Sequence, residues 1–142
     1  MMVKYKDKKY NFDKMKKELS VIEVIEPDSP TIGTDNGATF SLLRKEDRLQ
    51  VSTITVHFLS TRKMYIARMK SEIQNSGYGT YLLAYVIRWA EEKHIGTIGV
   101  HPATSGGPGQ LSQKGLEDFY RKFSFLDGRR LIFGSENELA QK

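Results

Sequence analysis

Apolar positions along the chain return with two different periods. Beyond Gly79 they recur every three or four residues at Leu82, Tyr85, Val86, Trp89 and Ala90, which predicts a helix with one apolar face. The same spacing at Leu116, Phe119, Tyr120 and Phe123, behind Ser112 as a cap, predicts a second helix. A shorter one is expected after Asn11, with Phe12, Met15 and Leu19 on one side. Elsewhere the pattern is that of strands. Residues 38–45 (ATFSLLRK) and 48–60 (RLQVSTITVHFLS) flank Glu46-Asp47 as a tight connection. The second carries Leu49, Val51 and Leu59 on one side and Ile54, Val56 and Phe58 on the other, so it is expected inside a sheet covered on both faces.

Thr61-Arg62 then turns the chain into a strand over 64–70, where Tyr65, Ile66 and Met69 are large and β-prone. Residues 20–26 read as a strand ending at Pro27, and residues 1–10 as a short edge hairpin about a Lys-Asp turn. After the first long helix, Gly96 is expected as its C′ residue. Residues 97–101 then form a buried strand parallel to the strand before the helix, through a right-handed crossover. Residues 125–134 are expected to be a final strand, interrupted at Asp127-Gly128, and the tail 135–142 to be frayed. The stretches 27–37 and 103–111, rich in glycine, proline and small polar residues, are loops. The expected class is α/β (α+β): one domain over 1–142 with a central mixed, mostly antiparallel twisted sheet and helices on both faces.

Composition narrows the chemistry. The chain has no cysteine, which removes disulfides, thiolate zinc sites and cysteine nucleophiles. His57, His94 and His101 lack helical metal-ligand spacing, and no metal is expected. No apolar run approaches the roughly 18 residues of a membrane span, and the polar start is unlike a signal peptide, so a cytoplasmic monomer or homodimer away from membranes is expected. The net charge of +5 owes much to Lys4, Lys6, Lys8, Lys9, Lys14, Lys16 and Lys17, set against only Asp7 and Asp13. Such a segment, 1–17, suits nucleic acid or an acidic partner, or is simply a solvated surface. It lacks the interleaved arginines and aromatics of a nucleic-acid platform.

The stretch Gln74-Asn75-Ser76-Gly77-Tyr78-Gly79 lies between a predicted strand and a helix N-terminus. Backbone N–H groups that point outward there suit a phosphate or pyrophosphate, and a tight turn needing positive φ is the plainer reading. The third glycine of the dinucleotide fingerprint and the Lys-Ser/Thr pair of the P-loop are both missing. With its surroundings the stretch resembles motif A of the GNAT superfamily of N-acetyltransferases, Arg/Gln-x-x-Gly-x-Gly/Ala, filled here by Gln74, Gly77 and Gly79. Its Gln-x-x-Gly-Tyr-Gly form resembles the histone acetyltransferase branch. Residues 113–125 (QKGLEDFYRKFSF) resemble that family's Asn-x-x-Ala-x-x-x-Tyr-x-x-x-Gly-Phe ending, with Tyr120 and Phe125 in register and Gln113, Leu116 and Ser124 departing from it.

The resemblance implies an acetyl-CoA-dependent N-acetyltransferase acting on a primary amine of a protein or small molecule. It places the pyrophosphate of coenzyme A on Gln74, Asn75, Ser76, Gly77, Tyr78, Gly79 and Thr80. A backbone N–H of Met69, Lys70 or a neighbour would meet the thioester carbonyl where two strands splay apart. Gln113 would contact the pantetheine arm, and Tyr120 would protonate the departing thiolate, unless it is a core aromatic. The glutamate base of the histone branch is absent from Arg62-Lys63-Met64. His57 is the candidate base or a satisfied strand histidine, His101 is open to the same two readings, and water could carry the proton instead. A GNAT-fold binding or regulatory protein and a nucleic-acid-modifying relative are the competing readings.

Overall fold

The computed structural model describes residues 3–19, 21–27, 38–71, 77–102 and 112–141. Strands β1 (Val3–Tyr5) and β2 (Lys8–Lys9) form a hairpin whose two turn residues, Lys6 and Asp7, both have positive φ, the geometry that matches strand twist. Asn11 caps α1 (Phe12–Glu18) by accepting from the Lys14 N–H at 3.0 Å. Then follow β3 (Val21–Ile25), β4 (Ala38–Arg44), β5 (Gln50–Ser60), β6 (Lys63–Ser71), α2 (Tyr78–Glu92), β7 (Thr97–Val100), α3 (Gln113–Arg121), β8 (Phe123–Phe125), β9 (Ile132–Phe133) and α4 (Glu136–Ala140). Among the described residues no helix is long and apolar enough to cross a membrane.

The main sheet has the order β3-β4-β5-β6-β7-β9. Its pairs are antiparallel from β3 to β6, and β7 and β9 each run parallel to the preceding neighbour, so the sheet is mixed and mostly antiparallel. Helix α2 is the crossover between the parallel strands β6 and β7. It ends on a left-handed His94 (φ 62°), with Ile95 N–H donating to Ala90 and His94 N–H to Glu91, a Schellman closure. Gly96, expected at that position, instead donates its N–H to the Arg62 carbonyl at 3.0 Å. The hydrogen bonds that close a helix decide which residue turns left-handed, and here they outweigh glycine's preference.

The core lies between α2 and one sheet face. Leu82, Leu83, Val86, Ile87, Trp89 and Ala90 pack with Phe40, Leu42, Ile54, Val56, Phe58, Met64, Ile66, Ile98 and Val100, all buried. Strand β5 departs from the expectation of two apolar faces. Leu49 lies outside the strand and is 48% exposed, while the second face presents Thr53, Thr55, His57 and Leu59, all half-buried. Apolar residues at 49, 51 and 59 do not share a periodic face once the strand begins at Gln50 and register shifts occur along it. Cover on this second face is local. Leu139 of α4 sits where a Cβ on Gly99 would fall (2.1 Å), so α4 lies opposite α2, over β7 and β6.

Three further expectations change. The final strand is two strands: Gly128 (φ 94°) turns the chain, β8 pairs with β1 and β9 pairs with β7. The tail is helical, with Ser135 accepting from the Glu138 N–H at 3.2 Å and Leu139 buried. The basic hairpin is also less peripheral than an edge: β1 is the middle strand of a second sheet, β2-β1-β8. Val3, Phe123 and Phe125 are buried there because the apolar side of β1 has a partner from the far end of the sequence.

Candidate functional site

Parallel pairing of β6 with β7 runs from Lys63–Thr97 to Ile66–Val100 and stops, whereas β6 continues to Ser71. At that point Ala67 is an extra residue on β6, since Val56 is opposite Ile66 and Thr55 is opposite Arg68. A bulge bends a strand and re-aims its side chains. Strand β7 ends at Val100 while β6 runs on past the bulge, so Met69 and Lys70 form a wall of β6 with no β7 pairing beside it.

The start of α2 adjoins this wall. Gly77 has φ 89°, a conformation that favours glycine, and a Cβ there would stand 3.3 Å from Leu19. Gly79 packs against β6, where a Cβ would meet the Met69 methyl at 3.0 Å. The two glycines thus have distinct physical tasks, a turn and a close helix–strand approach. Gly77 offers no side-chain cap, and the first turn carries no acidic residue. The N–H groups of Gly79 and Thr80 have no intrahelical acceptor and lie at the positive end of the helix dipole. The Tyr78 ring is buried in the core. Gln74, Asn75 and Ser76, assigned to the pyrophosphate from sequence, lie outside the described residues.

Tyr120 comes from α3 and is 5% exposed. Its hydroxyl lies 3.8 Å from the Met69 sulfur and its ring is 6.5 Å from that of Phe133 on β9. Burial, and next the nearby Tyr65, push its phenol up to about 12. It therefore stays protonated at neutral pH and is a weaker acid than a free phenol. A cleft of about 540 Å³ opens beside it, lined by Arg121, Arg130, Leu131 and Phe133. Gln113 donates its side-chain amide to the Pro102 carbonyl and to Glu117 (2.9 Å), which ties the start of α3 to the end of β7.

His57 is on the sheet face opposite α2, directly across from Tyr65, with ring centroids 6.4 Å apart. Its Nδ1 lies 3.0 and 3.1 Å from the two carboxylate oxygens of Glu136 on α4. A carboxylate at Nδ1 holds that nitrogen as the donor, so the Nε2 lone pair of the neutral ring can accept a proton. Lys63 donates to the Leu139 carbonyl at 2.8 Å, which fixes the C-terminal end of the same helix. Glu136 is absent from the residues chosen by sequence. The signal was there, since Ser135 and Glu138 have the spacing of a capping box. His101, by contrast, is exposed at the end of β7.

Strand β6 thus links His57 and Glu136, across from Tyr65, to Tyr120 against Met69, and Met69 packs on Gly79 at the start of α2. Chemically this arrangement offers a proton acceptor, a protonated phenol and a small region favourable to an anion. No family model, curated protein or solved structure matches the chain.

Proposed function

We propose that the protein is an acetyl-CoA-dependent N-acetyltransferase of the GNAT type, acting on a primary amine. The observation that carries this reading is that β6 runs past a bulge beyond the end of its β7 pairing, with His57–Glu136 across from Tyr65 before the bulge and Tyr120 against Met69 after it. The residues fit the cofactor's chemistry: among the described residues, Gly77 puts no side chain over the first N–H groups of α2, where a pyrophosphate would be held. Acetyl-CoA would supply the activated acetyl thioester. The β6 wall at Met69 and Lys70 would bind through its backbone, as one strand binds another. His57 Nε2 would accept the proton of the acceptor ammonium, with Glu136 stabilising the imidazolium. Tyr120 would hold a proton for the leaving sulfur.

A thermal-shift titration with acetyl-CoA tests the cofactor, with saturable stabilisation expected. In Thr80→Asp the new carboxylate favours the helix dipole but opposes an anion, so fold stability should hold while the acetyl-CoA shift disappears. Thiol release from an amine panel tests turnover, which should fall about a hundredfold in His57→Gln and less in Glu136→Gln, with the acetyl-CoA shift unchanged in both. No shift with acetyl-CoA would overturn the reading. The commitment of Gln113 to Pro102 and Glu117 favours a second reading, a cofactor-binding or regulatory protein without catalysis. A saturable shift without thiol release from any amine would select it.

A further inference from the structure

Among the described residues, the sheet face that carries His57 is covered by α4 at one end only. Two residues along β5, about 7 Å away at strand spacing, Thr55 stands opposite Arg68, and one step further Thr53 stands opposite Lys70. On the neighbouring β4, Thr39 and Ser41 stand opposite Thr55 and Thr53, and the Thr39 and Thr55 hydroxyls are 3.1 Å apart. These rows hold hydroxyls and cations and no carboxylate. Arg68 is exposed and, among the described residues, has neither a carboxylate nor a ring partner. Arg44, the other arginine on the strands of this sheet, is held by Asp47 at 2.6 Å. Arg68 stands beside the bulge, one row along the strand from His57.

Resting on the acetyltransferase reading, we infer that the acceptor is an anionic amine: its nitrogen is received at His57 while a carboxylate or phosphate a few bonds away pairs with Arg68 over Thr55. Arg suits that role because its planar fork matches both oxygens of such a group. A small ω-amino acid and a lysine followed closely by an acidic residue in a peptide share this chemistry. The open face admits either, and Arg68 sets the preference by charge.

The test measures thiol release from acetyl-CoA with γ-aminobutyrate, its neutral amide and putrescine, and with paired peptides carrying Lys-Gly-Asp or Lys-Gly-Asn. The anionic member of each set is expected to have the higher kcat/KM, by about three- to tenfold and mainly through KM, shrinking as salt is raised. Arg68→Gln should erase the preference and leave turnover of the neutral amide unchanged. Arg68→Glu should reverse the order in favour of putrescine, an inversion that a merely structural role would not produce. A larger discrimination in the peptide pair assigns the acceptor to polypeptides, and one in the amino-acid set assigns it to small molecules. Equal rates across all charges in the unaltered protein, or a preference that survives Arg68→Gln, would overturn the inference while leaving the transferase reading standing. Loss of both thiol release and acetyl-CoA stabilisation in the unaltered protein would remove the two together.

Discussion

Tyr120 shows how one side chain answers to both stability and chemistry. Its phenol is neutral and buried, so folding favours the protonated form and its pKa rises to about 12 from the ordinary value near 10. The sign follows from linkage: the stabilisation is complete below about pH 10 and is lost as pH rises towards 12. Tyr120→Phe should therefore move the midpoint of alkaline unfolding upward, followed by Trp89 fluorescence, if the cavity left by the hydroxyl costs little. In the unaltered protein kcat should show no alkaline decline from this group up to about pH 10. The sequence made Tyr120 legible through its helical spacing and its register with Phe125. Its burial beside Met69 was not legible, because the two residues are brought together only by α3 docking on the sheet. His57 was legible as a histidine near a strand end. Its partner was not: Glu136 lies 79 positions away on a helix too short to be stable alone.

At the level of elements, α4 is the piece whose existence depends most on its surroundings. Five residues cannot sustain a helix by propensity, so α4 stands on a capping serine, on Lys63 at its end and on Leu139 seated over Gly99. Gly99→Ala would place a methyl group 2.1 Å from the Leu139 side chain. The expected outcome is undocking of α4 with a loss of about 1–3 kcal/mol. Hydrogen exchange should then quicken at 136–140 while the amides of α2 keep their protection. Thiol release should fall with it, since Glu136 leaves His57. The longer elements were readable from sequence because each is long and periodic: α2, the β4–β5–β6 meander and the parallel β7 all stand where the apolar pattern put them. The short ones, β8, β9 and α4, were misassigned. Their partners, β1, β7 and Gly99, are distant in sequence, so no local pattern announces them.

For the whole molecule, the distribution of lysines turns out to be tied to architecture. Lys4, Lys8 and Lys9 belong to a sheet that closes on β8, and the following turn feeds Tyr10 and Phe12 into an aromatic cluster with Tyr81. Removing residues 1–9 should thus lower the melting temperature strongly. Changing Lys8 and Lys9 to Gln should alter it by only a few degrees, because both side chains are exposed and the strand pairing is made by the backbone. Equal losses from the two changes would show that charge, not pairing, anchors the segment. The register Val3 to Phe125 also dictates an order of events. During synthesis the β1–β2 hairpin emerges before β8, the strand that completes its sheet, which follows 122 positions later. At about 5–20 residues per second that is a wait of roughly 6–24 s with one strand edge open. Lys8 and Lys9 lie on β2, the edge that stays open even after β8 has docked, and lysine on an edge strand repels a second copy, so they guard that edge against pairing between chains.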